Sequence, residues 1–125
     1  MVLFMSKILI VDDDVTITEL MKALVKMEGH EPTTVTNSLQ AVDVANTVNP
    51  DLITLDLMMP GLSGYELCTL LREDPKFANT PIIIVSAKGD PASMEKAISA
   101  GASDYITKPF GVDNFISKIN SLITA

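Results

Sequence analysis

The chain has 125 residues, the usual size of one domain, and 47% of them are hydrophobic, enough to bury a sizeable core. Its 16 acids against 9 bases leave a net charge of −7, which argues against electrostatic binding to nucleic acid or to an anionic membrane. A single cysteine, Cys68, rules out an internal disulfide framework and suits a reducing cytoplasm.

The apolar start Met1-Val2-Leu3-Phe4-Met5 lacks a basic flank, is too short for a signal segment and leads straight into a strand. No stretch reaches the length of a membrane span, so the expectation is one cytoplasmic domain over residues 1–125, with its core at 7–123 and no output domain following. Lys7-Ile8-Leu9-Ile10-Val11 reads as a strand buried on both faces, ending in Asp12-Asp13-Asp14. A helix follows with Ile17, Leu20, Met21, Leu24 and Met27 on one stripe, Asp14 as its cap and Gly29 as its stop. His30, the only histidine, has no partner cluster and is expected at the surface.

Residues 32–36 form the second strand, and Pro32, which has no N–H to donate, places it at a sheet edge. Asn37 or Ser38 caps a second helix whose Leu39, Val42, Ala45 and Val48 share a face. The third strand, residues 52–55, runs into one carboxylate, Asp56, and then a loop punctuated by Pro60, Gly61 and Gly64. Its helix carries Tyr65, Leu67, Cys68, Leu70 and Leu71, with the thiol reading as buried packing, and breaks at Asp74-Pro75. Residues 82–85 are a fully buried fourth strand ending at Ser86.

The fourth helix, from Pro91 to a stop at Gly101, is the least amphipathic, with only Met94, Ala97 and Ile98 clearly apolar, so its outer face is expected to meet solvent or a partner. Residues 104–107 are a short fifth strand ending at Lys108, and a last helix carries Val112, Phe115, Ile116, Ile119, Leu122 and Ile123. Five strand–helix units in this length specify an α/β fold with a doubly wound parallel sheet and helices on both faces.

Ligands in such sheets bind beyond the carboxyl ends of the strands. Asp12, Asp13, Asp56, Ser86 and Lys108 all fall at strand ends, hence along one edge. Three converging carboxylates repel unless a cation neutralises them, and Mg²⁺ suits an oxygen-only donor set that leaves room for water and phosphate oxygens. Asp56, alone above its strand, is the candidate nucleophile, with Lys108 and Ser86 placed to hold the oxygens of a phosphoryl group.

From Ile8 to Ile123 the chain resembles the receiver domains of two-component response regulators. The motifs that carry the resemblance are Ile10-Val11-Asp12-Asp13, Leu55-Asp56-Leu57-Met58-Met59-Pro60-Gly61 through Gly64, Val85-Ser86-Ala87 and Tyr105-Ile106-Thr107-Lys108-Pro109-Phe110. The resemblance implies a flavodoxin-like fold with strand order 2-1-3-4-5 and a stand-alone regulator of the chemotaxis or phosphorelay kind. It implies that Asp56 accepts a phosphoryl group from the phosphohistidine of a histidine kinase or histidine phosphotransfer protein, and that Asp12, Asp13, Asp56 and the main-chain carbonyl of Met58 bind Mg²⁺. It further implies that Ser86 and Lys108 hold the phosphoryl oxygens and that Lys108-Pro109 is cis. A switch pairing Ser86 with Tyr105 would reshape the surface of helix four, strand five and helix five for a downstream effector, an output domain or a phosphorylation-dependent homodimer. The chain would then be no enzyme beyond transfer to, and loss from, its own Asp56. Met58 and Lys88 occupy the positions that tune phosphoryl lifetime, and a bulky Met58 that hinders attacking water points to a longer-lived phosphate.

A haloacid-dehalogenase-type phosphatase would need a second acid two residues after its nucleophile, where this chain has Met58. A flavin carrier would need a phosphate-binding loop where Asp12-Asp13-Asp14 would repel an anion. The serious alternative is a docking module using the same helix four, strand five and helix five surface without phosphorylation.

Overall fold

The structure is a computed structural model that describes residues 6–124, so the reading of residues 1–5 lies outside it. Five strands, β1 (Lys7–Val11), β2 (Glu31–Val35), β3 (Leu52–Leu55), β4 (Ile82–Ser86) and β5 (Asp104–Thr107), pair in parallel in the order β2-β1-β3-β4-β5. They alternate with α1 (Val15–Met27), α2 (Ala41–Val48), α3 (Gly64–Glu73), α4 (Pro91–Ser99) and α5 (Val112–Thr124). Pairing is in register from Ile8↔Leu52 to Val11↔Leu55 and from Ile83↔Asp104 to Ser86↔Thr107, which aligns the carboxyl ends of the strands.

Side-chain alternation splits the core into two layers. Leu9, Val11, Ile53, Leu55 and Ile84 pack with Leu67, Cys68, Leu71 and Ala97, while Ile8, Ile10, Leu52, Ile83, Val85 and Ile106 pack with Met21, Leu24, Val25, Phe115 and Ile119. Burial on both faces is why residues 8–11 and 82–85 are unbroken apolar runs and why β3 is interrupted only by the buried Thr54. β2 lies at the edge as Pro32 requires, one residue earlier than the sequence pattern placed it.

The helix stripes depart from simple apolar periodicity. In α1, Leu20 and Met27 face solvent and Met27 is 80% exposed, whereas Thr18 and Val25 are buried. Thr18 tolerates burial because its hydroxyl donates to the Val15 carbonyl at 2.8 Å. Asn37, not Ser38, is the cap after β2, its side chain accepting the Leu39 amide at 3.1 Å, and it starts a 3-10 turn (Ser38–Gln40) before α2. That extra turn rotates the face: Leu39 is 64% exposed, and Ala41 and Ala45 meet the sheet. Leu70 in α3 and Ile98 in α4 are likewise exposed, and α4 buries only Ser93 and Ala97. His30 is not a free surface residue. It is half-buried with Nε2 3.4 Å from Asn120 Oδ1, because α5 packs alongside α1 and its carboxyl end.

Candidate functional site

The site is built on residues that lie just past the strands but still belong to the sheet ladder. The Asp12 amide donates to the Val35 carbonyl at 3.1 Å, Asp56 to Val11 at 3.0 Å and Lys108 to Ser86 at 2.7 Å. Each backbone is therefore fixed by a neighbouring strand before its side chain enters the pocket. Ser86, the last residue of β4, is fully buried.

Asp12 is 2% exposed and Asp56 7%, while Asp13 faces solvent at the rim. One oxygen from each of the three lies within 4.8 Å of the others. Asp12 Oδ1 accepts the Asp14 amide at 2.9 Å, and Lys108 Nζ sits 2.6 Å from Asp12 Oδ2 and 3.6 Å from Asp56 Oδ2. Asp14 caps α1, accepting the amides of Thr16 and Ile17, and takes no part in this cluster.

Burial, and secondarily the charge of Asp12, push the Asp56 carboxyl up to about 6 against the pull of Lys108 and the Met58 and Leu57 backbone N–H groups. The one ammonium therefore does not offset the burial of the Asp56 carboxyl and the charge of Asp12. Hard carboxylate oxygens this close together, with one carboxyl destabilised by burial and a like charge, are the donor set that suits Mg²⁺. The residues present fit the ion.

Gly64 closes the loop after Asp56: its amide donates to the Leu57 carbonyl at 3.1 Å, and a Cβ there would collide with the Asp56 carbonyl. Lys108-Pro109 is cis. Tyr105 is half-buried; its hydroxyl donates to the Lys88 carbonyl, and the Lys88 amide donates to Ser86 Oγ at 3.2 Å. Ser86 and Tyr105 are therefore joined through one backbone unit of the β4–α4 loop. Met58 presents its side chain to solvent beside the pocket, 61% exposed.

Sequence reasoning gave Ser38 only a capping role. Its hydroxyl instead donates to the Pro60 carbonyl at 2.8 Å and accepts the Leu62 amide at 2.9 Å, with 1% of the residue exposed. Nothing local marks it, because both partners lie more than 20 residues away.

A parallel sheet of this order, with acids and one lysine converging beyond its carboxyl edge, defines a flavodoxin-like α/β domain with an acidic, partly neutralised pocket. The response regulator receiver domain model matches residues 8–120, and the chain belongs to that family, the receivers of two-component signalling. It is 39% identical over 116 residues to the phosphate regulon transcriptional regulatory protein PhoB of Pseudomonas aeruginosa, covering 93% of this chain and 51% of that protein. It is 34% identical over 119 residues to the DNA-binding dual master transcriptional regulator RpaA of Synechocystis sp., covering 95% and 49%. The chain thus spans about half the length of these curated relatives. The crystal structure of a putative response regulator from Chloroflexus aurantiacus superposes with a TM-score of 0.93 at 29% identity, covering 98% of this chain and 100% of that one. Among the described residues no helix is long and apolar enough to cross a membrane.

Proposed function

We propose that Asp56 is the phosphoacceptor of this receiver, taking a phosphoryl group from the phosphohistidine of a histidine kinase or histidine phosphotransfer protein. The observation that carries the reading is the Asp56 carboxylate held 3.6 Å from Lys108 Nζ inside a three-acid cluster. A carboxylate oxygen of Asp56 attacks phosphorus, the P–N bond of the donor breaks, and its electron pair leaves with the imidazole, which takes up a proton. Asp12, Asp13, Asp56 and the Met58 carbonyl would hold Mg²⁺, which when bound neutralises carboxylate and phosphoryl oxygens together. Lys108 turns from Asp12 toward the new phosphoryl oxygens, and the Ser86 hydroxyl donates to them. No other substrate is turned over: transfer to Asp56 and later hydrolysis of the acyl phosphate are the whole chemistry.

Recruiting Ser86 Oγ to the phosphoryl group withdraws it from the Lys88 amide, and the Tyr105 hydroxyl is bonded to the carbonyl of that same residue. The β4–α4 loop is then the two-state element, and the α4–β5–α5 surface the readout, for an effector, an output domain or a second copy. With a net charge of −7 the domain itself is unsuited to nucleic acid, so DNA binding of the kind named for its relatives would belong to a different domain.

Intact-mass spectrometry after incubation with Mg²⁺ and a small phosphodonor tests the reading. One added phosphoryl group is expected, absent in Asp56→Asn and absent with a chelator. No adduct on folded protein, with a competent kinase failing too, overturns it.

A further inference from the structure

On the phosphoacceptor reading, the segment from Asp56 to Gly64 presents the Met58 backbone carbonyl to the same ion as the Asp12, Asp13 and Asp56 carboxylates. A loop of this length does not hold a carbonyl in place unaided. Its base is closed by the Gly64 amide on the Leu57 carbonyl. Its tip is held by a residue from a different part of the chain. The Ser38 hydroxyl, brought in by the turn after β2, donates to the Pro60 carbonyl and accepts the Leu62 amide, bracketing Gly61.

Gly61 has φ +85°, the left-handed conformation that lets the chain fold around the hydroxyl, and a Cβ there would lie 3.0 Å from Leu39 Cγ and 3.1 Å from Ser38 Oγ. Ser38 is buried with its hydroxyl used as both donor and acceptor, so it has one orientation. The other residue of the turn with a side-chain bond, Asn37, caps the turn itself and does not reach the loop.

We infer that Ser38 is a positioning residue for the metal site, fixing the tip of the β3–α3 loop so that the Met58 carbonyl stays aimed at the ion. The inference rests on the phosphoacceptor reading, because it supposes that this loop supplies a metal ligand. Without the hydroxyl, Pro60 O and Leu62 N lose their common partner, the loop samples other arrangements, and metal binding must select the competent one.

The test is a titration of the protein with Mg²⁺ alone, followed by the amide NMR shifts of residues 56–59, 61 and 62, for the wild type, Ser38→Ala, Ser38→Thr and Asn37→Ala. Ser38→Ala is expected to weaken Mg²⁺ binding about tenfold, in the range seen when an outer partner of a metal ligand is removed. Asn37→Ala, which damages the same turn, is expected to stay within twofold of wild type, and Ser38→Thr to recover most of the affinity. In metal-free protein the Leu62 amide exchanges faster in Ser38→Ala than in Asn37→Ala at equal global stability.

Equal Mg²⁺ affinity for Ser38→Ala and wild type overturns the inference, as does equal loss in Asn37→Ala. Should Ser38→Ala not fold, Gly61→Ala decides: exposed but pressed against Leu39 and Ser38, it weakens Mg²⁺ binding if the strap matters, and unchanged binding overturns the proposal. A wild type that binds no Mg²⁺ and takes up no phosphoryl group is a different result, the failure of the phosphoacceptor reading itself.

Discussion

At the carboxyl end of the sheet two buried carboxylates share one ammonium, while at the amino end one guanidinium is shared among backbone carbonyls. Lys108 reaches Asp12 and Asp56 and leaves the Asp56 carboxyl raised to about 6. Arg72, from the last turn of α3, donates through Nε to Gly101 O at 2.8 Å, through Nη1 to Phe77 O at 2.7 Å and Thr80 O at 2.6 Å, and through Nη2 to Ser103 Oγ at 3.3 Å. One end is left short of positive charge and the other has its loop carbonyls satisfied. The amino end is tied together by one side chain, and the pocket at the other end keeps a shortage of positive charge that a bound cation would relieve.

The largest expected effect comes from emptying the amino end. Arg72→Ala removes the shared donor of the Phe77, Thr80 and Gly101 carbonyls, of which Phe77 O keeps the Thr80 amide, and opens the link between α3, the entry to β4 and the entry to β5. Hydrogen bonds to a charged group are worth about 1.5–3 kcal/mol each and act here together, so a loss of about 3–5 kcal/mol is expected in denaturant unfolding. Arg72→Lys recovers little, since a point-charged ammonium cannot fork to four acceptors. If Asp56 is the phosphoacceptor as proposed, phosphoryl uptake by the molecules that remain folded is expected to be unchanged. Loss of uptake at full foldedness would show that the two ends are not independent.

The opposite sign is expected at the carboxyl end. The Asp56 carboxyl titrates near 6 when folded and near 3.8 when unfolded. Below about 4 it is neutral in both states and contributes nothing; between about 4 and 6 only the unfolded chain ionises, so stability falls as pH rises through that window. Above it the ionised group costs roughly 3 kcal/mol. Asp56→Asn removes the titration and is expected to melt higher than wild type at pH 7.5, by a margin that closes as the pH is taken to 4. Mg²⁺, bound as proposed, is expected to narrow the margin from the other side by stabilising the wild type. Equal melting temperatures at both pH values would break the contrast between the two ends.

How much of this was legible follows from how local each signal is. Asp12, Asp56, Ser86 and Lys108 could be placed at one edge because each ends an apolar run, and in a parallel sheet the run's own direction decides which edge that is. Pro32 announced the outer strand by lacking an N–H. The helix faces were less legible: Ala45 and Ala97 are buried as their stripes indicated, but Thr18, Ala41 and Ser93 are buried too while Leu20, Leu39 and Met27 are left outside, an inversion that hydrophobic periodicity does not encode. Arg72 and Ser38 were illegible for a plainer reason. Most of the groups they hold come from other parts of the chain, and neither carries a local signature of burial.

The smallest expected effect separates local from imported stability within the functional end. Ser63 caps α3: its hydroxyl accepts the Glu66 amide at 3.2 Å while Glu66 Oε1 accepts the Ser63 amide at 3.1 Å. Ser63→Ala is expected to cost about 1 kcal/mol, as caps of this type do. Ser63 directly follows Leu62, so a general loosening of the loop would reduce Mg²⁺ affinity as much as the loss of Ser38 does. The cap, however, bonds only within its own helix start, and the loop tip remains held from the turn after β2. Affinity is therefore expected to hold in Ser63→Ala while stability falls, the outcome that follows if the strap from Ser38, and not the rigidity of α3, fixes the Met58 carbonyl.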